Sequence, residues 1–115
     1  MSIQNEEAIV KLIFHGGNMR QFAYSAIEAA EKNDFPSAAA HLQKADQEFA
    51  EGHQWQTKIV SSEQRDGLNA SFLLIHGQDH FMTAKAELEM AKRLVTSYKK
   101  HEELAARIAD LESDK

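Results

Sequence analysis

Apolar residues recur along this chain every three or four positions and do not alternate with polar ones, which is the period of helices and not of strands. One proline and five glycines are the only strong breakers in 115 residues, so the pattern predicts an all-α chain of about three long helices. The first should run from about Asn5 to Lys32, with Ile9, Leu12, Ile13, Gly16, Ala23, Ile27 and Ala30 on one side and Asn33 at its end. Gly16 and Gly17 fall inside it. Each glycine costs up to ~1 kcal/mol relative to alanine in a helix, so a kink or a close backbone approach is expected there. Asp34 can cap a second helix, with Pro36 in its first turn, that continues to about Ser61 and buries Ala38, Leu42, Ala45, Phe49, Gly52 or His53, and Gln56. Ser62 to Gly67 reads as a polar, turn-rich connection, and Asn69 or Ser71 can cap a third helix that begins near Phe72.

The third helix carries two apolar faces. Leu73, Leu74, Phe81, Ala84, Leu88, Ala91 and Val95 form one; Ile75, Met82, Ala86 and Met90 form the other; a wedge of His76, His80, Thr83 and Glu87 separates them. One face suffices for packing inside a three-helix subunit. The second is explained either by self-association, because open apolar patches are avoided in monomers, or by a central helix buried nearly all round. After Tyr98 the sequence Lys99-Lys100-His101-Glu102-Glu103 is solvated, while Leu104, Ile108 and Leu111 carry an amphipathic pattern onward. Residues 101–115 are therefore expected to form a flexible or helical extension.

At this length a single domain, residues 1–115, is expected. Hydrophobic residues make up 43% and charged residues 27%, and no apolar run approaches the ~18 residues of a membrane span. The start of the chain lacks the basic and apolar blocks of a secretory signal and no cysteine is present, which points to the cytoplasm. Thirteen Lys and Arg against eighteen Asp and Glu give a net charge of -5, and Lys99-Lys100 is the one basic cluster, so nucleic-acid binding is not expected. Without cysteine, thiol nucleophiles and thiolate metal sites are excluded, and the six histidines become the leading chemical groups.

Two of them stand together in His76-Gly77-Gln78-Asp79-His80-Phe81-Met82-Thr83. At roughly 100° per residue, His80 lies about 40° to one side of His76 and Asp79 about 60° to the other, in line with Ile75, Met82 and Ala86. Asp79 thus interrupts an apolar stripe, and a carboxylate in such a stripe costs several kcal/mol, on the order of the penalty for burying an ion, unless a cation or donors meet it. Three readings stay open. The group could be a polar layer of the bundle. It could hold zinc through a His-x-x-x-His pair, although the glutamate that follows the first histidine in hydrolytic zinc sites is missing. Or His76 could be a nucleophile for a phosphoryl group, its neutral ring offering a lone pair, with His80 one turn away as a donor and Thr83 and His53 as further contacts. His15, His41 and His101 read as structural or surface histidines. No Walker-type phosphate loop occurs, so a phosphoryl group would have to come from another protein.

The eight residues from His76 to Thr83 resemble the active-site signature of the lactose/cellobiose-type enzyme IIA components of the bacterial sugar phosphotransferase system. Gly17-Asn18-Met19-Arg20, Asn33-Asp34-Phe35, His53-Gln54-Trp55-Gln56-Thr57 and Leu94-Val95-Thr96-Ser97-Tyr98-Lys99 are similar to other segments of that family in the same order. The resemblance covers about Glu7 to Lys100; Trp55 and Lys58 depart from the pattern. It implies a three-helix antiparallel bundle subunit that assembles as a trimeric nine-helix bundle. It also implies a cytoplasmic phosphocarrier in which His76 accepts a phosphoryl group on Nε2 from the histidine-containing phosphocarrier protein and passes it to a cysteine of the cognate IIB component, for uptake of a β-linked disaccharide. His80 matches the neighbour that stabilises the phosphoryl group. Asp79 matches an aspartate that shares a divalent cation, Mg2+, with its symmetry mates at the trimer axis. The reading from a different class is a noncatalytic helical oligomer whose His and Asp residues hold a structural metal or a polar layer.

Overall fold

A computed structural model of the chain describes residues 3–66 and 71–114, with side chains from Glu6 to Ser61 and from Ser71 to Asp114. Three helices account for nearly all of it: α1 (Ile3–Glu31), α2 (Phe35–Asp66) and α3 (Phe72–Ser113). Among the described residues there is no strand.

The turn between α1 and α2 is set by Asn33, whose φ of 62° is left-handed, a conformation that asparagine tolerates better than most residues. The backbone N–H of Asp34 returns to Ala29 O at 2.9 Å and that of Asn33 to Ala30 O at 3.0 Å, closing the end of α1. Asp34 Oδ1 then accepts from Ser37 N–H at 3.2 Å, which starts α2 as its side chain leads one to expect. Ser71, extended at φ -92° and ψ 160°, caps α3 by accepting from Leu74 N–H. Asn69, the alternative cap, lies outside the described residues.

The chain runs up, down, up. Contacts of His15 with Glu48 and of Gln56 with Gln78 set α2 antiparallel to both neighbours, and α1 lies parallel to α3. Helix α1 packs along both of the others, which meet each other more briefly. The shared core is built from Ile9, Leu12, Met19 and Ala23 of α1, Ala45 and Ile59 of α2, and Leu74, Phe81, Ala84, Leu88 and Ala91 of α3. Small residues bring α1 and α3 together. A Cβ on Gly16 would lie 3.2 Å from Phe81 Cα, and one on Gly77 would lie 3.0 Å from Ile9 Cγ2. Gly16 therefore serves a close approach, whereas Gly17 faces no atom within 4 Å and α1 continues through both.

Two details differ from the periodicity, and two alternatives that it left open are decided. Helix α2 continues five residues past Ser61, so Ser62–Asp66 is helix and not connection: those polar residues are ordinary helix formers with no Pro or Gly among them. At the Gly52/His53 position it is Gly52 that is buried, because the Phe81 ring occupies the space a side chain would need, and His53 is exposed. Leu73 sits at the edge of its face and is exposed. The second face of α3 is open: Ile75, Met82, Met90 and Leu94 are 53%, 50%, 64% and 44% exposed. A central helix buried all round is thereby excluded for the single chain. No helix is long and apolar enough to cross a membrane among the described residues.

Phe81 is fully buried and stacks on Phe49 at 5.5 Å, so it cannot yield to a methyl group placed against its Cε1. Gly52→Ala should therefore destabilise the fold by about 1–3 kcal/mol through overpacking, read as a lower urea midpoint, and adding Phe81→Leu should recover part of the loss.

Candidate functional site

The site grows from the first turns of α3. Ser71 fixes the start of the helix, and Phe72, His76 and His80 follow at four-residue spacing, so their rings align on one row. Phe72 and His76 stack with centroids 6.2 Å apart, and His76 and His80 stack at 5.8 Å. His76 is exposed at the surface, whereas His80 is partly covered by α1 where Gly16 lets the two backbones approach.

From α1, one turn beyond Gly16, Arg20 reaches across to three α3 side chains. Its Nε donates to Glu87 at 2.7 Å, Nη2 to Thr83 Oγ1 at 2.8 Å, and Nη1 faces His80 Nδ1 at 3.4 Å. A guanidinium has only donors, so His80 Nδ1 must be the acceptor and Nε2 carries the ring proton. Partial burial, then the Arg20 charge, then His76 push the His80 pKa below its ordinary 6.5, and Glu87 opposes them. His80 is thus a neutral imidazole at pH 7 whose one N–H is turned away from Arg20. That is the form in which a histidine donates a hydrogen bond to an anion without itself carrying charge.

The expected site residues are only partly gathered. His76 and His80 stand together. Thr83 is near them, but its hydroxyl donates to Asp79 O at 2.7 Å and accepts from Arg20, so it anchors the arginine and is not a free ligand donor. His53 is elsewhere: it stacks on Phe49 and pairs through Nδ1 with Gln56 Oε1 at 3.2 Å, and Gln56 Nε2 donates to Gln78 at 2.8 Å. By helical step Gln78 lies about 160° around α3 from His76, so within one chain His53 belongs to the opposite side of the helix. Arg20, which sequence reasoning did not assign, is the residue that orders the site. Its partners lie sixty or more positions away, and no local pattern reports such a pairing; its place one turn after the close-approach glycine was the available signal.

Asp79 is exposed, between Ile75 and Met82 on the open strip, and forms no ion pair among the described residues. The remaining histidines keep to structural duties. Nearly buried His15 faces Glu48 Oε2 at 2.6 Å and Glu51 Oε2 at 3.6 Å, tying α1 to α2, and Asn18 Nδ2 donates to the second Glu48 oxygen at 3.4 Å. His41 stacks on Phe22, and exposed His101 lies beside Tyr98.

Comparison with known proteins places this arrangement in a family. The profile described as PTS system, lactose/cellobiose specific IIA subunit, matches residues 7–99. The lichenan-specific phosphotransferase enzyme IIA component of Bacillus subtilis (strain 168) is 35% identical over 101 residues, 87% of this chain and 92% of that protein. The crystal structure of the PTS cellobiose specific enzyme IIA from Bacillus anthracis superposes with a TM-score of 0.82 at 36% identity, covering 89% of this chain and 94% of the other. The IIA(chitobiose) of the IIA(chitobiose)–HPr complex from the N,N'-diacetylchitobiose branch of the Escherichia coli phosphotransferase system gives a TM-score of 0.77 at 28% identity, with 88% and 99% covered. The chain belongs to the lactose/cellobiose-specific IIA family of the sugar phosphotransferase system.

The geometry around His80 is testable by proton NMR of the imidazoles. His80 should titrate with a midpoint below 6.5, and in Arg20→Gln, which removes a lowering charge and leaves Glu87 beside the ring, that midpoint should move upward. A His80 midpoint at or above 6.5 in the unchanged chain would contradict the arrangement.

Proposed function

We propose that this chain is a cytoplasmic phosphocarrier of a sugar phosphotransferase system, with His76 as the residue that carries the phosphoryl group. The observation that bears most weight is the pairing of an exposed His76 ring with a neutral His80 whose Nδ1 is turned to Arg20 and whose Nε2–H is free to donate. Family membership supports the role, and the Escherichia coli relative solved with HPr supports a histidine-containing phosphocarrier protein as the donor.

The transfer asks little of the protein beyond position. A His76 Nε2 lone pair attacks phosphorus as the bond from phosphorus to the donor's nitrogen breaks; no proton has to leave a neutral imidazole nitrogen before attack. The His80 N–H stabilises charge on the phosphoryl oxygens, and Arg20 holds His80 in the tautomer that can do so. In the second step a thiolate of the cognate IIB component attacks the same phosphorus, the N–P bond breaks and a P–S bond forms. The sugar, a β-linked disaccharide on this reading, is never touched by this chain. His76 lies on an open surface, as successive docking of two protein partners requires.

The open strip on α3 supports assembly as a trimer, a nine-helix bundle in which the strips of three copies cover one another. Each chain brings one exposed carboxylate, Asp79, into that strip. Three such carboxylates converging on an axis repel, and a hard divalent cation with oxygen ligands, Mg2+, fits that donor set. Asp79 of each copy would hold it, and its contribution would be to neutralise the shared charge.

Incubation with phosphoenolpyruvate and the general phosphotransferase proteins tests the carrier reading. The unchanged chain should take up one phosphoryl group, His76→Ala none, and His80→Ala should be labelled about 100-fold more slowly, the size of losing one preorganised donor. Uptake that survives in His76→Ala moves the site to another residue; no uptake by the unchanged chain supports the noncatalytic oligomer instead. Separately, Asp79→Leu should still sediment as a trimer, because the substitution removes axial repulsion, while losing bound Mg2+ by elemental assay. Monomers of that variant beside trimers of the unchanged chain would overturn the axial placement of Asp79.

A further inference from the structure

The last part of α3 has no role in the site. From Lys99 to Asp114 every side chain is exposed, and the helix is nonetheless unbroken to Ser113. The chain reaches 73 Å in its long dimension against 19 and 18 Å across. A single helix of this length without packing is marginal in water, since most helical stability in proteins comes from a buried face. The profile of the family ends at residue 99, so residues 100–115 lie beyond it.

The exposed residues have a strict pattern. Met90, Leu94, Ser97, His101, Leu104, Ile108 and Leu111 succeed one another by steps of four and three, which is a heptad seam with Leu94, His101 and Ile108 at a positions and Met90, Ser97, Leu104 and Leu111 at d. Its terminal members Leu104, Ile108 and Leu111 are 52%, 55% and 68% exposed. At its other end the seam runs into the open strip that contains Asp79, through Met90, Ala86 and Met82. The flanking charges choose an orientation. Arg107 is a g residue and Glu112 the e residue five positions later, so parallel, in-register copies place Arg107 against the next copy's Glu112. An antiparallel pair would instead set the basic g residues Lys100 and Arg107 opposite each other. His101 supplies one polar layer at an a position, a feature that fixes register at some cost in stability.

We propose that residues 101–113 form a parallel, in-register coiled-coil stalk between copies of this same chain, continuing beyond the bundle the self-association of α3. The proposal rests on the trimeric assembly proposed above and adds to it an interface beyond the residues that the family profile matches. The stalk extends the assembly by about 20 Å, at 1.5 Å per residue, and its occupant is chosen by continuity of the seam and by the Arg107–Glu112 match.

The chain has no cysteine, so single cysteines introduced into the full-length protein report neighbours directly. Under mild oxidation Leu111→Cys should form disulfide-linked dimers rapidly and independently of dilution, while Ala106→Cys, on the outer side of the stalk, should not. Arg107→Glu should lower the melting temperature and Arg107→Glu/Glu112→Arg should restore it, with the His76 labelling unchanged in both. Sedimentation of the unchanged chain separates the two levels. A trimer in which both cysteine variants cross-link equally slowly, or in which the charge swap restores nothing, overturns the stalk and leaves the assembly standing; a monomer overturns the assembly and the stalk with it.

Discussion

The close contact of α1 with α3 is the constraint on which the rest of the structure depends. Two helices approach this nearly only where side chains are absent, and here each contributes one such place: Gly16 faces the backbone of His80 and Phe81, and Gly77 faces Ile9. The consequence one turn later is that Arg20 spans to Glu87, Thr83 and His80. Ion pairs this close to the surface contribute only about 0–1 kcal/mol to stability, so the arginine matters for where it holds an imidazole and which nitrogen it leaves protonated, far more than for any strength it lends the fold. The glycine cost of a helix interior, up to ~1 kcal/mol each, is offset by packing that only glycine permits.

Helix α3 divides its circumference among separate tasks. Leu74, Gly77, Phe81, Ala84, Leu88 and Ala91 are buried against the other two helices. Beside them on the α1 edge lie His80 and Glu87, then His76 in the open, and beyond it the apolar strip with Asp79. Adjacent rows of one helix thus hold the core, the paired histidines and an open apolar strip. On the α2 side the His15 pair with Glu48 and the Gln56 pair with Gln78 hold the second helix in place, which keeps Phe49 against Phe81.

Much of this is legible in the sequence. Helix ends followed from local chemistry: Asn33 in a left-handed turn, Asp34 and Ser71 as caps. The two faces of α3 followed from period alone, and the His76–His80 stack from a four-residue spacing. What periodicity could not supply was anything determined by a partner distant in sequence. That Gly52 and not His53 turns inward is decided by the Phe81 ring, twenty-nine positions away. His53 therefore faces away from His76, and Arg20 carries no local signal because its partners all lie on another helix. Helix α2 runs past the expected end at Ser61 because a run of polar residues without Pro or Gly carries no stop signal of its own.

Ser71 has a consequence out of proportion to its size. Its hydroxyl closes the first turn of α3 through Leu74 N–H, and that turn carries Phe72, on which the His76 ring rests. Cap loss costs typically about 1 kcal/mol, roughly a fivefold change in how often the turn opens. Each such opening would release the outermost aromatic ring and with it one wall beside the His76 imidazole. The residence time of a well-ordered His76 is then governed by a serine five positions away, through the local melting equilibrium of a helix end.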